Sequence, residues 1–93
     1  MIVYQPNSQW LEIRESANED DIEFRIRIED GTSGLDAWKD VQHVFEDNDD
    51  FTDVLFYPYQ NHEYRVIVKH EHYGDFLAEL WKRRLLTSLA WKD

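Results

Sequence analysis

Apolar and polar residues alternate along two segments in the first third of the chain. In residues 22–29 every second side chain is apolar and the others are charged, and residues 10–15 repeat this pattern over a shorter length. A period of two is typical of strands with one buried face. We therefore predict two strands joined as a hairpin by the polar residues 16–21, with a short extended piece at residues 2–4 before them.

The period changes after the turn-forming residues 31–34. Apolar side chains then recur at intervals of three and four residues, at Leu35, Trp38, Val41 and Phe45. This spacing predicts an amphipathic helix that ends near Asp47, and Ser33 with Asp36 resembles a capping box at its start. Residues 73–91 predict a second, longer helix, whose acidic residues precede its basic residues as the helix dipole favours.

Two further strands are predicted between the helices. Residues 52–57 form the third predicted strand, in which residues 54–57 are apolar on both faces. Residues 64–69 alternate again, and residues 58–62 have the composition of a turn. The predicted order is ββαββα, an α+β fold in which two helices cover one face of a four-stranded antiparallel sheet. A ferredoxin-like βαββαβ fold gives the same order when its last strand is moved to the front. The alternative is two ββα units that are swapped or paired between two chains.

Length and composition favour a single domain that covers residues 1–93. Aromatic residues make up 15% of the chain, which suits a small domain because large rings bury much area. The absence of cysteine excludes a disulfide framework and thiolate chemistry. The first residues lack the basic and apolar regions of a signal peptide, and no apolar run approaches the ~18 residues that cross a bilayer. We expect a cytoplasmic protein with no membrane partner.

Charge is distributed unevenly along the chain. The formal net charge is −10, and residues 1–53 hold 15 acidic and 4 basic side chains. Residues 54–93 hold 5 acidic and 6 basic side chains. A field of this sign repels nucleic acid and anionic membranes and attracts basic proteins. The expected partner is therefore a basic protein, and nucleic acid is disfavoured.

Residues with catalytic or metal-binding potential form no recognisable motif. No serine lies in a Gly-x-Ser-x-Gly sequence. The group His62, His70, Glu71 and His72 resembles metal ligands, but its position is more typical of a polar junction between a strand and a helix. Residues 31–34 resemble a phosphate-binding turn, yet Asp residues flank them and repel anions. We expect no catalytic residues, no bound metal and no cofactor.

The acidic loop, residues 46–53, is the leading candidate for binding. Its carboxylates suit the steering of a basic partner, and tyrosines that follow it suit an anchoring role. The candidate contact residues are Asp47, Asp49, Asp50, Asp53, Tyr57 and Tyr59. This predicts a non-catalytic inhibitor of the immunity-protein, antitoxin or phage-antagonist type, which covers a basic surface. An acidic surface kept only for solubility is the alternative.

The uncovered face of the predicted sheet is a second candidate. Its basic side chains are Arg25, Arg27, Arg65 and Lys69. With Tyr57 or Leu55 beside them, they resemble platforms that bind single-stranded nucleic acid or another anion. Three acidic residues on the same predicted face, Glu12, Glu23 and Glu29, are expected to pair with these arginines across strands.

Two tryptophans near the end of the chain are the third candidate. Trp81 and Trp91 lie in the predicted second helix, and Trp91 is two residues from the last residue. Because tryptophan is enriched at protein interfaces, we expect either a homodimer through this helix or a Trp91 that folds back over the sheet edge. The homodimer would make the chain a structural, oligomeric domain.

Overall fold

The computed structural model describes residues 1–47 and 54–93, which form six strands and two helices. The strands and helices, in chain order, are β1 (Ile2–Pro6), β2 (Leu11–Ala17), β3 (Asp21–Ile28), α1 (Gly34–Glu46), β4 (Val54–Pro58), β5 (Glu63–Lys69), α2 (Tyr73–Lys82) and β6 (Leu86–Trp91). A 3₁₀ turn at His70–His72 joins β5 to α2. The architecture is α+β.

The strands form two antiparallel sheets. One has four strands in the order β2-β3-β5-β4, and the other pairs β1 with β6. Because β1 and β6 are the first and last strands, both ends of the chain lie side by side, and the backbone N–H of Lys92 donates to the carbonyl of Met1 at 2.7 Å. The observed order, βββαββαβ, thus has one strand more at each end than ββαββα.

The end of the chain corrects the sequence prediction. The helix predicted for residues 73–91 ends at Lys82, and Leu86–Trp91 form a strand that pairs with β1. Trp91 therefore lies on a strand and not on a helix. The segment follows a helical spacing through Leu85 and Leu89, but β1 pairs with five of the six residues of β6, and this pairing outweighs the local pattern.

The second helix ends in a Schellman motif. The backbone N–H of Leu85 donates to the carbonyl of Leu80 at 3.0 Å, and that of Arg84 donates to the carbonyl of Trp81 at 3.1 Å. Arg84 adopts a left-handed conformation, with φ 65°, at the position that glycine usually occupies. The helix therefore ends without the Gly or Pro from which its end could be predicted in the sequence.

Aromatic rings join the helices to the four-stranded sheet. Trp38 of α1 lies with its ring centroid 5.7 Å from that of Phe56 and 5.2 Å from that of Tyr64. Phe76 of α2 lies 4.8 Å from Phe24 and 6.5 Å from Phe56, centroid to centroid. Trp38, Phe24 and Phe76 are fully buried. Side chains at alternate positions of the same strands point the other way.

The first residue of α1, Gly34, packs closely against Trp10. Ser33 is its N-cap residue, as predicted, but its side chain makes no capping hydrogen bond. The hydroxyl of Thr32 accepts the N–H of Gly34 at 3.2 Å instead. A Cβ atom at position 34 would lie 2.9 Å from the Cβ of Trp10, so only glycine allows this approach of helix and chain.

Glu15 joins both sheets to the second helix. Its carboxylate accepts hydrogen bonds from the hydroxyl of Tyr4 on β1 and from that of Tyr73 on α2, the latter at 3.0 Å. Burial, and then the neighbouring Glu15 carboxylate, raise the pKa of Tyr73 to about 12. Burial and the same carboxylate raise the pKa of Tyr4 as well. The cluster therefore favours the neutral form of both tyrosines.

Candidate functional site

The solvent-exposed side of the four-stranded sheet carries the four predicted anion-binding residues and Tyr57. We call it the outer face and define it by the strand register. Its side chains are Glu12, Arg14 and Ser16 of β2, Asp21, Glu23, Arg25 and Arg27 of β3, Leu55 and Tyr57 of β4, and Glu63, Arg65, Ile67 and Lys69 of β5. None of these side chains belongs to the buried core of the described residues.

A row of like charges crosses this face. Arg14 on β2 lies directly opposite Arg25 on β3, and Arg25 lies directly opposite Arg65 on β5. Tyr57 on β4 lies opposite Arg65 and ends the row. We call these four residues the arginine row. Like charges at directly opposite positions destabilise a sheet. Either carboxylates of the chain or negative charge on a partner can compensate this repulsion.

Carboxylates compensate the row unevenly. Glu23 binds Arg65 at 2.8 Å, and its distance to the Nε of Arg25 is 3.9 Å. The hydrogen bond to Glu23, and then one with Tyr59, raise the pKa of Arg65 above its ordinary value. Arg14 makes no ion pair or hydrogen bond through its side chain in the part of the chain that the structure describes. Positive charge is therefore least compensated at the Arg14 end.

Arg27 is held in a separate ion-pair group. Its guanidinium binds Glu12 at 2.9 Å and Glu29 at 3.2 Å. The hydrogen bond to Glu12 is the main cause of a raised pKa at Arg27. Lys69 lies at the other end of the outer face, opposite Asp21. Ion pairs thus engage Arg25, Arg27 and Arg65, three of the four basic residues that the sequence indicated.

Two tyrosines, Tyr57 in the arginine row and Tyr59 beside it, add exposed aromatic surface to the outer face. The guanidinium carbon of Arg65 lies 5.6 Å from the ring centroid of Tyr57, and that of Arg25 lies 5.2 Å from the ring centroid of Tyr59. Both distances fit cation–π contacts. Tyr57 is 42% exposed and Tyr59 is 46% exposed, so each ring still offers area to a partner.

A shallow depression of about 350 Å³ lies in the outer face beside the row. It is lined by Glu12, Arg14, Arg25, Ile26, Arg27, Glu63 and Tyr64. Three arginines and two glutamates therefore line the same depression. The depression can hold one or two side chains of a partner.

The acidic loop is placed only in part. Asp47 ends α1, and its carboxylate binds the Nε2 of His43 at 2.7 Å. Asp49, Asp50 and Asp53 lie outside the described residues. Tyr57 and Tyr59, which we grouped with this loop, contact Arg65 and Arg25 and so belong to the same surface as the arginine row.

The two tryptophans lie on different elements. Trp81 is in the last turn of α2 and is 46% exposed, whereas Trp91 ends β6 opposite Ile2 and is 80% exposed. Trp91 therefore does not fold back over the sheet within this chain. Its ring leaves a large apolar area in contact with solvent.

Sequence reasoning missed Arg14 as a member of the site. The alternation in residues 10–15 places it on the same face of β2 as Glu12, but its position opposite Arg25 depends on the β2–β3 register. A hairpin register is set by its turn, here by the N–H of Asn18, which donates to the carbonyl of Asp21 at 2.8 Å. The turn sequence alone did not define that pairing.

Neither a group of metal-ligating residue types nor a helix with the hydropathy of a membrane span occurs among the described residues. No group of three or more His, Cys, Asp or Glu side chains among residues 1–47 and 54–93 could hold a metal ion. His70 and His72 lie in the 3₁₀ turn between β5 and α2. Within those same residues, no helix is long and apolar enough to cross a membrane.

Comparison with known proteins gives no relative. No family model, no curated protein and no solved structure matches this chain.

Proposed function

We propose that this chain is a non-catalytic protein-binding domain that contacts its partner through the outer face. The observation that carries the proposal is the pair of exposed tyrosines, Tyr57 and Tyr59, each in contact with an arginine of the arginine row. Tyrosine and arginine dominate binding energy at protein interfaces. Their rings and guanidiniums hold one another in place before binding, which lowers the entropy lost on association.

Net charge supports a basic partner. The chain carries −10 overall, and such a field speeds the approach of a positively charged protein. We therefore propose an inhibitor of the immunity-protein, antitoxin or phage-antagonist type, which covers a basic surface. In this role Asp47, Asp49, Asp50 and Asp53 steer the encounter, and the outer face holds the bound complex.

The proposal needs an outer face that no helix of the chain covers. We propose that both helices lie on the opposite face, in a permuted ferredoxin-like arrangement. Contacts from Trp38 of α1 and from Phe76 of α2 to the same ring, Phe56, support this. The strand order β2-β3-β5-β4 is also the order that the permutation gives.

Binding of single-stranded nucleic acid is the second candidate, and the three arginines in register favour it. Carboxylates weigh against it, because Glu23 binds Arg65 while Glu12 and Glu29 bind Arg27. A phosphate backbone would have to displace these partners and approach a chain of net charge −10. A protein with both signs of charge fits this face better.

A homodimer is a third candidate, favoured by the exposure of Trp91 at 80%. It predicts that sedimentation velocity gives a dimer for the wild type and a monomer for Trp91→Ser. A wild-type monomer at all concentrations excludes it. This oligomer would not compete with the outer face, because Trp91 lies on the two-stranded sheet.

Association kinetics with the captured partner test the two proposed roles separately. Changing Asp47, Asp49, Asp50 and Asp53 to Asn should slow association at low salt and leave dissociation nearly unchanged. Changing Tyr57 and Tyr59 to Ala should speed dissociation and leave association nearly unchanged. Equal rates for the wild type and the double tyrosine variant would contradict the proposed contact surface.

A further inference from the structure

We infer that Arg14 and Arg25 together bind a carboxylate of the protein partner, so that an Asp or Glu side chain of the partner enters the depression in the outer face. This inference rests on the proposed function, because it assigns the partner's chemistry at one point of the same surface. The partner would then be a basic protein that has one acidic residue where it contacts Arg14 and Arg25.

The first support is the uneven compensation of charge. Glu23 can satisfy only part of the row, and its shorter distance is to Arg65, 2.8 Å against 3.9 Å for Arg25. Arg14 has no ion-pair partner among residues 1–47 and 54–93. Arg14 and Arg25 lie at directly opposite strand positions, and of the two only Arg25 has an ion-pair partner, at the longer distance of 3.9 Å.

The second support is geometric. Directly opposite residues of an antiparallel pair place their Cβ atoms roughly 4.5–5.5 Å apart, so one group can contact both side chains. Arg14 and Arg25 line the same depression of about 350 Å³. A carboxylate accepts paired N–H bonds from guanidinium groups, and its arrival removes the like-charge repulsion along the row.

The surroundings favour a protein carboxylate over a polyphosphate. Glu12 and Glu63 line the same depression, and Glu63 lies opposite Arg27 in the adjacent row. Repeated phosphates that follow the face would meet these carboxylates. An acidic side chain of the partner can contact Arg14 and Arg25, while a Lys or Arg beside it contacts Glu12 or Glu63 in the adjacent row. The two rows lie roughly 7 Å apart along the strands.

The test is an NMR titration of the arginine Nε–Hε signals with two short peptides. The probes are N-acetyl-Lys-Glu-Lys amide and its Gln counterpart, and inorganic phosphate serves as a third. We expect saturable shifts at Arg14 and Arg25 with the Glu peptide, and binding about two- to fivefold weaker with the Gln peptide, the range for an exposed ion pair. Linear, equal shifts with both peptides would overturn the inference.

Three variants locate the site. Arg14→Gln should weaken binding of the Glu peptide about two- to fivefold, whereas Arg84→Gln, which removes an exposed arginine at the end of α2, should not change it. Glu23→Gln removes the competing carboxylate and should strengthen binding by a similar factor. Equal affinity in wild type and Glu23→Gln, or equal loss in Arg14→Gln and Arg84→Gln, would contradict the assigned site.

Three further outcomes distinguish failure of the carboxylate site from failure of the proposed function. Tighter binding of inorganic phosphate than of the Glu peptide at Arg14 and Arg25 would overturn the carboxylate and assign a phosphoryl group. If the peptides fail to bind while Tyr57→Ala still releases a captured protein, the carboxylate site is wrong and the proposed function stands. If neither tyrosine affects a captured protein, the proposed function itself is wrong.

Discussion

The ring of Tyr57 faces the guanidinium of Arg65, with 5.6 Å between the ring centroid and the guanidinium carbon. The two residues lie opposite each other on β4 and β5, so strand pairing brings them together. Glu23 holds the same arginine from β3. An arginine fixed on two sides loses little conformational freedom on binding, and the exposed part of the tyrosine ring is ready for a partner.

Arg84→Gly is expected to stabilise the fold. Arg84 holds φ at 65° to end α2, a conformation that costs a non-glycine residue free energy. The gain should be about 0.5–1 kcal/mol in the free energy of unfolding, which raises Tm by a few degrees in a domain of this size. Thermal unfolding followed by circular dichroism measures it.

Arg83→Gly is the matched control for that substitution. Arg83 has a φ of −105°, and its side chain pairs with Glu79. Glycine there removes the ion pair and gains nothing from the backbone, so Tm should fall. A fall of Tm in both variants would contradict the Schellman ending of α2.

Gly34→Ala and Gly74→Ala should have opposite effects. A Cβ at position 34 meets the Cβ of Trp10 at 2.9 Å, whereas a Cβ at position 74 has its nearest neighbour, the Cδ1 of Ile2, at 3.7 Å. We expect Gly34→Ala to lower the free energy of unfolding by about 1–3 kcal/mol. Gly74→Ala, inside α2, should raise it by about 0.5–1 kcal/mol. Urea denaturation measures both, and equal effects would count against the contact at Trp10.

Stability should fall between about pH 10 and pH 12. Burial and Glu15 raise the pKa of Tyr73 from 10.0 to about 12, so the folded chain retains a proton that the unfolded chain releases above pH 10. Stability from this group is therefore complete below pH 10 and decreases as pH approaches 12. Tyr4 acts in the same direction.

The slope of Tm against pH tests this linkage. Tyr73→Phe removes the titrating hydroxyl, so Tm should decrease less steeply from pH 10 to 12 than in the wild type. An unchanged slope in Tyr73→Phe would show that its hydroxyl does not carry the alkaline dependence.

Much of the fold could be predicted because its periodicities are clean. The alternation in residues 22–29 and 64–69 identified β3 and β5, and the spacing from Leu35 to Phe45 identified α1. The prediction failed after Lys82, where Leu85 and Leu89 continue a helical spacing although Arg84 ends the helix. Helical period is local information, while the pairing of β6 with β1 joins opposite ends of the chain.

The site was harder to predict because it depends on register and turn geometry. Alternation placed Arg25 and Arg65 on one face, but Arg14 joins them only through the β2–β3 pairing. Tyr59 reaches Arg25 because a tight turn follows it, with left-handed residues at Asn61 and His62. Asparagine tolerates that conformation well, yet nothing in the pattern indicates which strand the ring contacts.

The central claim is that a protein binds the outer face through its tyrosines, and quantitative affinity capture from the native lysate tests it most directly. Three baits should be compared: wild type, Tyr57→Ala with Tyr59→Ala, and Trp81→Ala, a control as exposed as Tyr59. We expect wild type and Trp81→Ala to enrich the same basic protein equally, and the double tyrosine variant not to enrich it. Equal enrichment by all three baits, with each bait folded, would contradict it.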